Sequence, residues 1–318
     1  MPTAAILGTA GYTGQETLDR LLAHPELEVV ALGSNTHAGK AASAMDPRLN
    51  GRLPSFVTND EAAATGADVT FLCLGHEESA AFEPAAEGVV VDLSGAHRLR
   101  DSTLALQWYG TAPGAWSYGL PEVSPPEGRL IANPGCHATA ALLALWPLRD
   151  VIDGTIVVDA KTGMTGAGRG LKPSSHAGFV LENLTPYAVG RHRHAPEIEQ
   201  TLGRPITFVP HLLPVRRGLL ATCYVQASGD ARALVEAAYA GSEVVRVLPE
   251  GVVPELARVQ GTDAAEIGVF TDDHNGTTIV ICAEDNLGKG AAGQAVQNAN
   301  IVLGFPETAG LRLAGVPV

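Results

Sequence analysis

At 318 residues, 46% hydrophobic and 17% charged, the chain is long enough for two domains with ample cores and has an ordinary globular balance. A formal net charge of −13 weighs against nucleic acid or an anionic membrane as a partner, since either calls for a basic face, and no stretch approaches the roughly 18 unbroken apolar residues of a membrane span. Four scattered cysteines without a Cys-x-x-Cys pair make neither a disulfide framework nor a zinc site, and the first residues carry no basic and apolar leader, so a cytoplasmic protein is expected.

The chain opens with Ala4-Ala5-Ile6-Leu7 as a strand, Gln15 to Ala23 as a helix and Leu27 to Leu32 as a second strand, a βαβ unit in about 30 residues. Between the first strand and the helix runs Gly8-Thr9-Ala10-Gly11-Tyr12-Thr13-Gly14, a G-x-x-G-x-x-G spacing. Glycines there permit a tight turn and close backbone approach, so a pyrophosphate can rest on the helix N-terminus; a plain glycine-rich turn is the alternative. After the second strand, where an NAD-binding protein usually carries a carboxylate for the ribose 2′-hydroxyl, stands Gly33-Ser34-Asn35-Thr36 with Lys40 close by. With hydroxyls and a cation there instead, NADP(H) is the expected cofactor, although Ser34 and Asn35 can equally form a turn.

Further strands are expected at Asp68 to Leu74 and Gly88 to Leu93, ending in polar loops at the carboxyl edge of a parallel sheet, where ligands bind. Arg98 in the second loop is a candidate anion anchor or a solvated surface residue. The Pro/Gly-rich run from Pro113 to Gly128 breaks the alternation, and the domain boundary is placed just after it, near Asn133.

Asn133-Pro134-Gly135-Cys136 follows the apolar run Leu130-Ile131-Ala132 and opens a long apolar segment ending at Leu148, so Cys136 sits where a loop becomes a helix. Unpaired N–H groups at a helix N-terminus favour thiolate over thiol, which marks Cys136 as a nucleophile candidate. Cys73, Cys223 and Cys282 lie in apolar runs that read as buried strands, hence as inert thiols.

The second half reads as an α+β domain with a largely antiparallel sheet: strands at Thr155 to Ala160, Ile206 to Val209, Leu219 to Gln226 and Thr277 to Ala283, helices at Pro196 to Leu202 and Ala231 to Tyr239. The loop Lys161 to Gly170 is glycine-rich but lacks the Gly-Lys-Ser/Thr ending of a P-loop. In Arg191-His192-Arg193-His194-Ala195-Pro196-Glu197, two histidines two apart share one face if extended, and Pro196 starts a helix. A His-x-His pair can bind metal, but no acidic or thiol ligand stands at suitable spacing, so no metal is expected.

Gly8 to Gly14, Asp92-Leu93-Ser94 through Arg98, Tyr118-Gly119-Leu120-Pro121-Glu122, Asn133 to Cys136, Asp159 to Gly163, His192 to Ile198, Pro210-His211-Leu212-Leu213-Pro214 and Asp285 to Gln294 stand in one order along nearly the whole chain. In that order the sequence resembles the N-acetyl-gamma-glutamyl-phosphate reductases, relatives of aspartate-semialdehyde dehydrogenase. One departure is visible: where the family usually shows Cys-Tyr-Pro-Thr, this chain reads Cys136-His137-Ala138-Thr139.

The resemblance implies an α/β fold with a Rossmann-type NADP-binding domain over 1–133, completed by the C-terminal stretch 290–318, whose helix runs Gly290 to Gly304, and a catalytic and dimerisation domain over 134–289. It also implies a homo-oligomer, dimer or tetramer. The implied reaction is NADPH-dependent reduction of a small-molecule acyl phosphate through a thioester on Cys136. His192 is assigned as acid/base, with His194 orienting or accepting; the choice between them stays open. Arg98 is expected on the leaving phosphate, and Glu197 is placed with it on the substrate side or as an anchor for one histidine. Gly163, Gly166 and Asn286 are expected to border the nicotinamide. Two alternatives remain: a reductase of carrier-protein-linked aminoadipyl phosphate in lysine biosynthesis, and a non-catalytic NADP-binding regulatory module.

Overall fold

The computed structural model describes residues 1–112, 114–170 and 176–315, and divides into two compact units. The first is Met1–Pro134 with Ala291–Leu311; the second is Gly135–Gly290 together with the chain from Arg312 on.

In the first unit the elements are β1 (Thr3–Leu7), α1 (Tyr12–Leu21), β2 (Glu28–Gly33), α2 (Asn59–Ala63), β3 (Val69–Leu72), α3 (His76–Ala80), β4 (Val89–Asp92), α4 (Ser102–Tyr109), β5 (Ser117–Tyr118) and β6 (Leu130–Ala132), with a later helix at Gly293–Leu303. The six strands form one parallel sheet in the order β2-β1-β3-β4-β6-β5. Apolar side chains cover both faces. Ile6, Leu18, Leu21, Phe71, Val91 and Ile131 pack with Ala295, Val296 and Ala299 of the later helix on one side, and Ala5, Leu7, Ala62, Leu72 and Val90 on the other. Burial on both faces is why β3 and β4 read as unbroken apolar runs rather than alternating ones. The chain leaves β1 for β2 on one side and crosses back to β3 on the other, so the strand order reverses between β1 and β3. Ligands of such sheets bind at that reversal.

The second unit holds α5 (Cys136–Leu145), β7 (Ile152–Thr162), α6 (Ala177–Val180), β8 (Thr185–Pro186), α7 (His194–Leu202), β9 (Ile206–Leu212), β10 (Leu219–Ala227), α8 (Ala231–Ala238), β11 (Val245–Val247), α9 (Leu256–Val259), β12 (Ala265–Thr271) and β13 (Thr278–Glu284). Its sheet runs β11-β12-β13-β10-β7-β9-β8. The pairings β12/β13, β13/β10, β10/β7 and β9/β8 are antiparallel, while β11/β12 and β7/β9 are parallel. Every residue of α5 from His137 to Leu145 is buried, as expected of a helix apolar all round, and it packs on β10, β13 and α7.

Several elements differ from the sequence expectation. Helix α7 begins at His194 rather than Pro196, because a proline is tolerated in a first turn where its missing N–H has no partner to lose. The segment before it is a turn, not extended, with Arg193 at φ −62° and ψ −15°. Strands β11 and β12 were not expected; Glu266 and Gly268 interrupt the apolar pattern of β12, yet both are buried. The later helix, α10 (Gly293–Leu303), is preceded by a π turn over Gly288–Ala292 instead of starting at Gly290. The tail from Arg312 belongs with the second unit, where the Arg312 N–H donates to Asp263 Oδ2 at 2.8 Å. Cys73 lies one residue beyond β3 and keeps some exposed surface, since the chain leaves the sheet at Leu72. Cys223 and Cys282 are buried in β10 and β13.

Candidate active site

In the first unit, Gly8 to Gly14 forms the turn from β1 into α1. Gly8 has φ +78°, a conformation that favours glycine, and a Cβ on Gly14 would lie 2.5 Å from the Gly8 carbonyl oxygen. The Gly11 N–H donates to that oxygen at 3.0 Å, and Gly11 caps α1 without a side chain over the first-turn N–H groups. Asn59 at the start of α2 accepts from the Gly8 N–H at 3.0 Å and donates its own N–H to Asn35 Oδ1 at 2.9 Å, so the glycine turn and the loop after β2 are tied together. An open helix N-terminus with close backbone approach fits a pyrophosphate. Thr9 is buried, its hydroxyl donating to the Ile6 carbonyl at 2.8 Å, whereas Ala10, Tyr12 and Thr13 keep partial exposure.

Ser34 is buried just past β2, its hydroxyl 3.3 Å from both Thr36 Oγ1 and His37 Nδ1. Thr36 and His37 therefore join Ser34 in a polar knot that sequence reading had not singled out in full; Lys40 is exposed nearby in the chain. Arg98 is 6% exposed and anchored to its own unit, Nε donating to the Asn133 carbonyl at 2.7 Å and one terminal nitrogen to the Leu93 carbonyl at 2.8 Å. It is thus no solvated surface arginine: it splints the end of β4 to the loop that leads to Cys136.

The second unit carries the reactive side chains. Cys136 is the first residue of α5, half-exposed, with Gly135 as N-cap and no side-chain cap. Glu197, fully buried in α7, accepts from the Gly135 N–H at 2.8 Å and so pins the start of the cysteine helix. The sequence places Glu197 on the substrate side or as an anchor for one histidine; the structure shows it buried and bonded to the Gly135 N–H. A cavity of about 600 Å³ opens here, lined among others by Cys136, His137, Tyr187, His192, Arg193 and His194.

The His192 and His194 ring centroids are 4.8 Å apart, and both rings pack near His137, at 5.2 and 5.6 Å. Among the described residues no group of three or more His, Cys, Asp or Glu is arranged to hold a metal ion. The His194 backbone N–H donates to His192 Nδ1 at 3.1 Å, which places the proton of a neutral His192 on Nε2. Desolvation, with the Arg193 charge beside it, pulls the His192 pKa down to about 4. By contrast the Cys73 and Cys223 thiols are pushed up to about 12 by burial, and Cys282 is raised as well.

Gly163 and Gly166 stand at the end of β7 and in the 3-10 turn after it, and Gly166 lines the cavity with Thr162. A Cβ at Gly163 would lie 2.8 Å from Arg217 backbone atoms, which explains the glycine by packing. Asn286 accepts from the Gly218 N–H at 2.8 Å and donates to Thr165 Oγ1 at 3.0 Å, bracing that loop. Beneath it, a pair that the sequence did not single out, Arg217 and Asp285, forms a forked bond at 2.6 and 3.0 Å. Tyr187 was also missed; its signal was its place five positions before His192 in a segment already dense in reactive types.

Residues 3–130 match the model of the semialdehyde dehydrogenase NAD binding domain, and residues 136–286 match that of the semialdehyde dehydrogenase dimerisation domain. Among solved structures, aspartate semialdehyde dehydrogenase II of Vibrio cholerae, complexed with ASA, superposes with a TM-score of 0.75 at 20% identity, over 95% of this chain and 98% of that one. Aspartate semialdehyde dehydrogenase of Candida albicans with NADP gives a TM-score of 0.64 at 16% identity, over 95% and 98% of the two chains. The parallel glycine-turn sheet, the second mixed sheet and the cysteine at the head of a buried helix define a semialdehyde dehydrogenase fold with a thiol site. Curated relatives narrow this further. N-acetyl-gamma-glutamyl-phosphate reductases of Pelotomaculum thermopropionicum and Acidothermus cellulolyticus are 42% and 43% identical, each over 98% of both chains. The chain belongs to the N-acetyl-gamma-glutamyl-phosphate reductase family.

Proposed function

We propose that the protein reduces N-acetyl-glutamyl 5-phosphate to N-acetyl-glutamate 5-semialdehyde with NADPH, releasing phosphate, as a step of arginine biosynthesis. The observation that carries this reading is a half-exposed cysteine at the first position of a buried, uncapped helix, in a chain similar along its full length to reductases of that name. The match to a dimerisation domain supports a homo-oligomer, dimer or tetramer, built on the second unit.

The Cys136 thiolate attacks the acyl carbon; its C–S bond forms as the carbon–oxygen bond to phosphate breaks, leaving a thioester. NADPH, held at the glycine turn, would supply the hydride that reduces the thioester. The N–H groups at the start of α5 face the oxygen that becomes negative in both steps. The C–S bond then breaks, the aldehyde leaves and the thiolate is restored. His192 acts first as a neutral donor through Nε2, with His194 orienting it through the backbone bond to Nδ1. It carries a proton only when an anionic substrate in the cavity raises its affinity for one. Arg98 serves the leaving phosphate. Gly8 to Gly14 would hold the pyrophosphate and Ser34 with Lys40 the 2′-phosphate, and the loop Gly163 to Gly166, braced by Asn286, would border the nicotinamide.

The test is the reverse reaction: N-acetyl-glutamate semialdehyde, NADP and phosphate should give NADPH, and omission of phosphate should stop it. Turnover restricted to a carrier-linked aminoadipyl substrate would assign the protein to the lysine pathway, and NADPH binding without turnover of either would make it a regulatory module.

A further inference from the structure

Inside the cavity, His137 and Tyr187 form a pair that the reaction above leaves without a part. His137 is 2% exposed, its Nε2 lies 3.0 Å from the Tyr187 hydroxyl, and its Nδ1 is buried with no hydrogen-bond partner. Burial and the neighbouring His192 hold the imidazole neutral, so it carries one N–H and one lone pair. A buried N–H without a partner is rarer and costlier than a buried acceptor without one. The proton therefore sits on Nε2 and is donated to the Tyr187 oxygen, while the empty lone pair is left on Nδ1. With its oxygen engaged as acceptor, the Tyr187 hydroxyl has its own proton to give, and Tyr187, His137 and Cys136 line one cavity.

The backbone fixes this arrangement. Thr185 and Pro186 pair with Leu212 and His211 of β9, and the Tyr187 N–H donates to the Pro210 carbonyl at 3.0 Å. Ala188, the next residue, is held at φ +45°, a strained conformation for a side chain other than glycine. Phe208 packs edge-on against His137 at 5.4 Å. Burial pushes the Tyr187 phenol up, and the nearby Cys136 adds to the shift, so the hydroxyl stays protonated through the working range.

We propose that the Tyr187 hydroxyl donates a hydrogen bond to the acyl oxygen of the group held at Cys136, and that His137 is the positioning residue that turns the hydroxyl toward it. This rests on Cys136 being the nucleophile of an acyl transfer.

Tyr187→Phe removes one donor from an oxygen that gains charge in the transition state, so kcat should fall roughly 10- to 100-fold with KM for the acyl phosphate and for NADPH little changed. His137→Leu should cost a several-fold part of that, and His137→Gln, which keeps a terminal N–H in reach of the tyrosine oxygen, should recover most of it. In the Tyr187→Phe background His137→Leu should have no further effect on kcat, a result that mere loss of core packing would not give. Iodoacetamide should alkylate Cys136 at the same rate in wild type and Tyr187→Phe. Wild-type kcat in Tyr187→Phe, a change confined to KM, or losses that multiply in the double variant would overturn the proposal. Failure of the underlying reading looks different: alkylated wild-type enzyme would stay active.

Discussion

Helices α1 and α5 start in the same way and end in opposite surroundings. Each follows a glycine in extended conformation, Gly11 at φ −71° and Gly135 at φ −76°, and neither has a side-chain cap. The partial positive charge of a helix N-terminus is therefore available in both. In α1 only one side is buried, through Gly14, Thr17, Leu18, Arg20 and Leu21, and the turn before it is built so that a diffusible anion can come close to backbone. In α5 every residue after the cysteine is buried and Glu197 grips the Gly135 N–H, so on the proposed mechanism the same potential would act on an anion that is part of the chain, the Cys136 thiolate. On the proposed function, one electrostatic device would serve a phosphate in one unit and a nucleophile in the other, and packing decides which.

The comparison can be broken most sharply at α5. Cys136→Ser should lower reduction by on the order of a thousandfold or more while leaving NADPH affinity unchanged, because a serine hydroxyl without a dedicated base is a far weaker nucleophile. Turnover and cofactor titration of the same preparation check both halves. Near-normal turnover in that variant would remove the thioester from the mechanism.

At α1 the corresponding change is Gly14→Val. Its Cβ would meet the Gly8 carbonyl at 2.5 Å, so the turn must open; NADPH affinity should fall roughly a hundredfold while iodoacetamide still modifies Cys136 ahead of Cys73, Cys223 and Cys282. If cofactor binding and thiol reactivity fell together, the two helix starts would not be independent devices.

A smaller effect is expected from Ser34→Asp. A carboxylate just after β2 repels a 2′-phosphate, so affinity for NADPH should drop roughly tenfold or more while that for NADH changes little. Equal kcat/KM with both cofactors before the substitution would count against Ser34 as a phosphate ligand.

The mildest effect concerns pH. His192 binds its proton with a pKa of about 4 in the fold against 6.5 for the free side chain, and His137 is lowered in the same sense. Between those values the unfolded chain holds more protons than the folded one. Stability is fully present above about pH 6.5 and is lost as the pH falls toward 4, by on the order of 1–3 kcal/mol for His192. Denaturant titrations at pH 7 and pH 5 check this, and His192→Asn should flatten the slope.

Much of this was present in the order of residues alone. The βαβ start, the glycine turn, the cysteine at a loop-to-helix junction and the His-x-His segment depend on local chemistry: glycine at positive φ, apolar periodicity, a proline tolerated in a first helical turn. For the same reason β7, β9, β10 and β13 were located to within a few residues, whereas β8, β11 and β12 were not expected. What only the tertiary structure decided depends on contacts distant in sequence. Glu197 finds the N–H of Gly135, 62 positions away, and His137 finds the hydroxyl of Tyr187, 50 positions away. No local pattern encodes either pairing. The proton affinity of His192 likewise follows first from how the fold buries it, with the charge of the adjacent Arg193 adding to the effect. Sequence could name candidate reactive residues because their types and spacing are chemical; it could not say which of them point, which of them hold and which of them are charged, because those follow from burial.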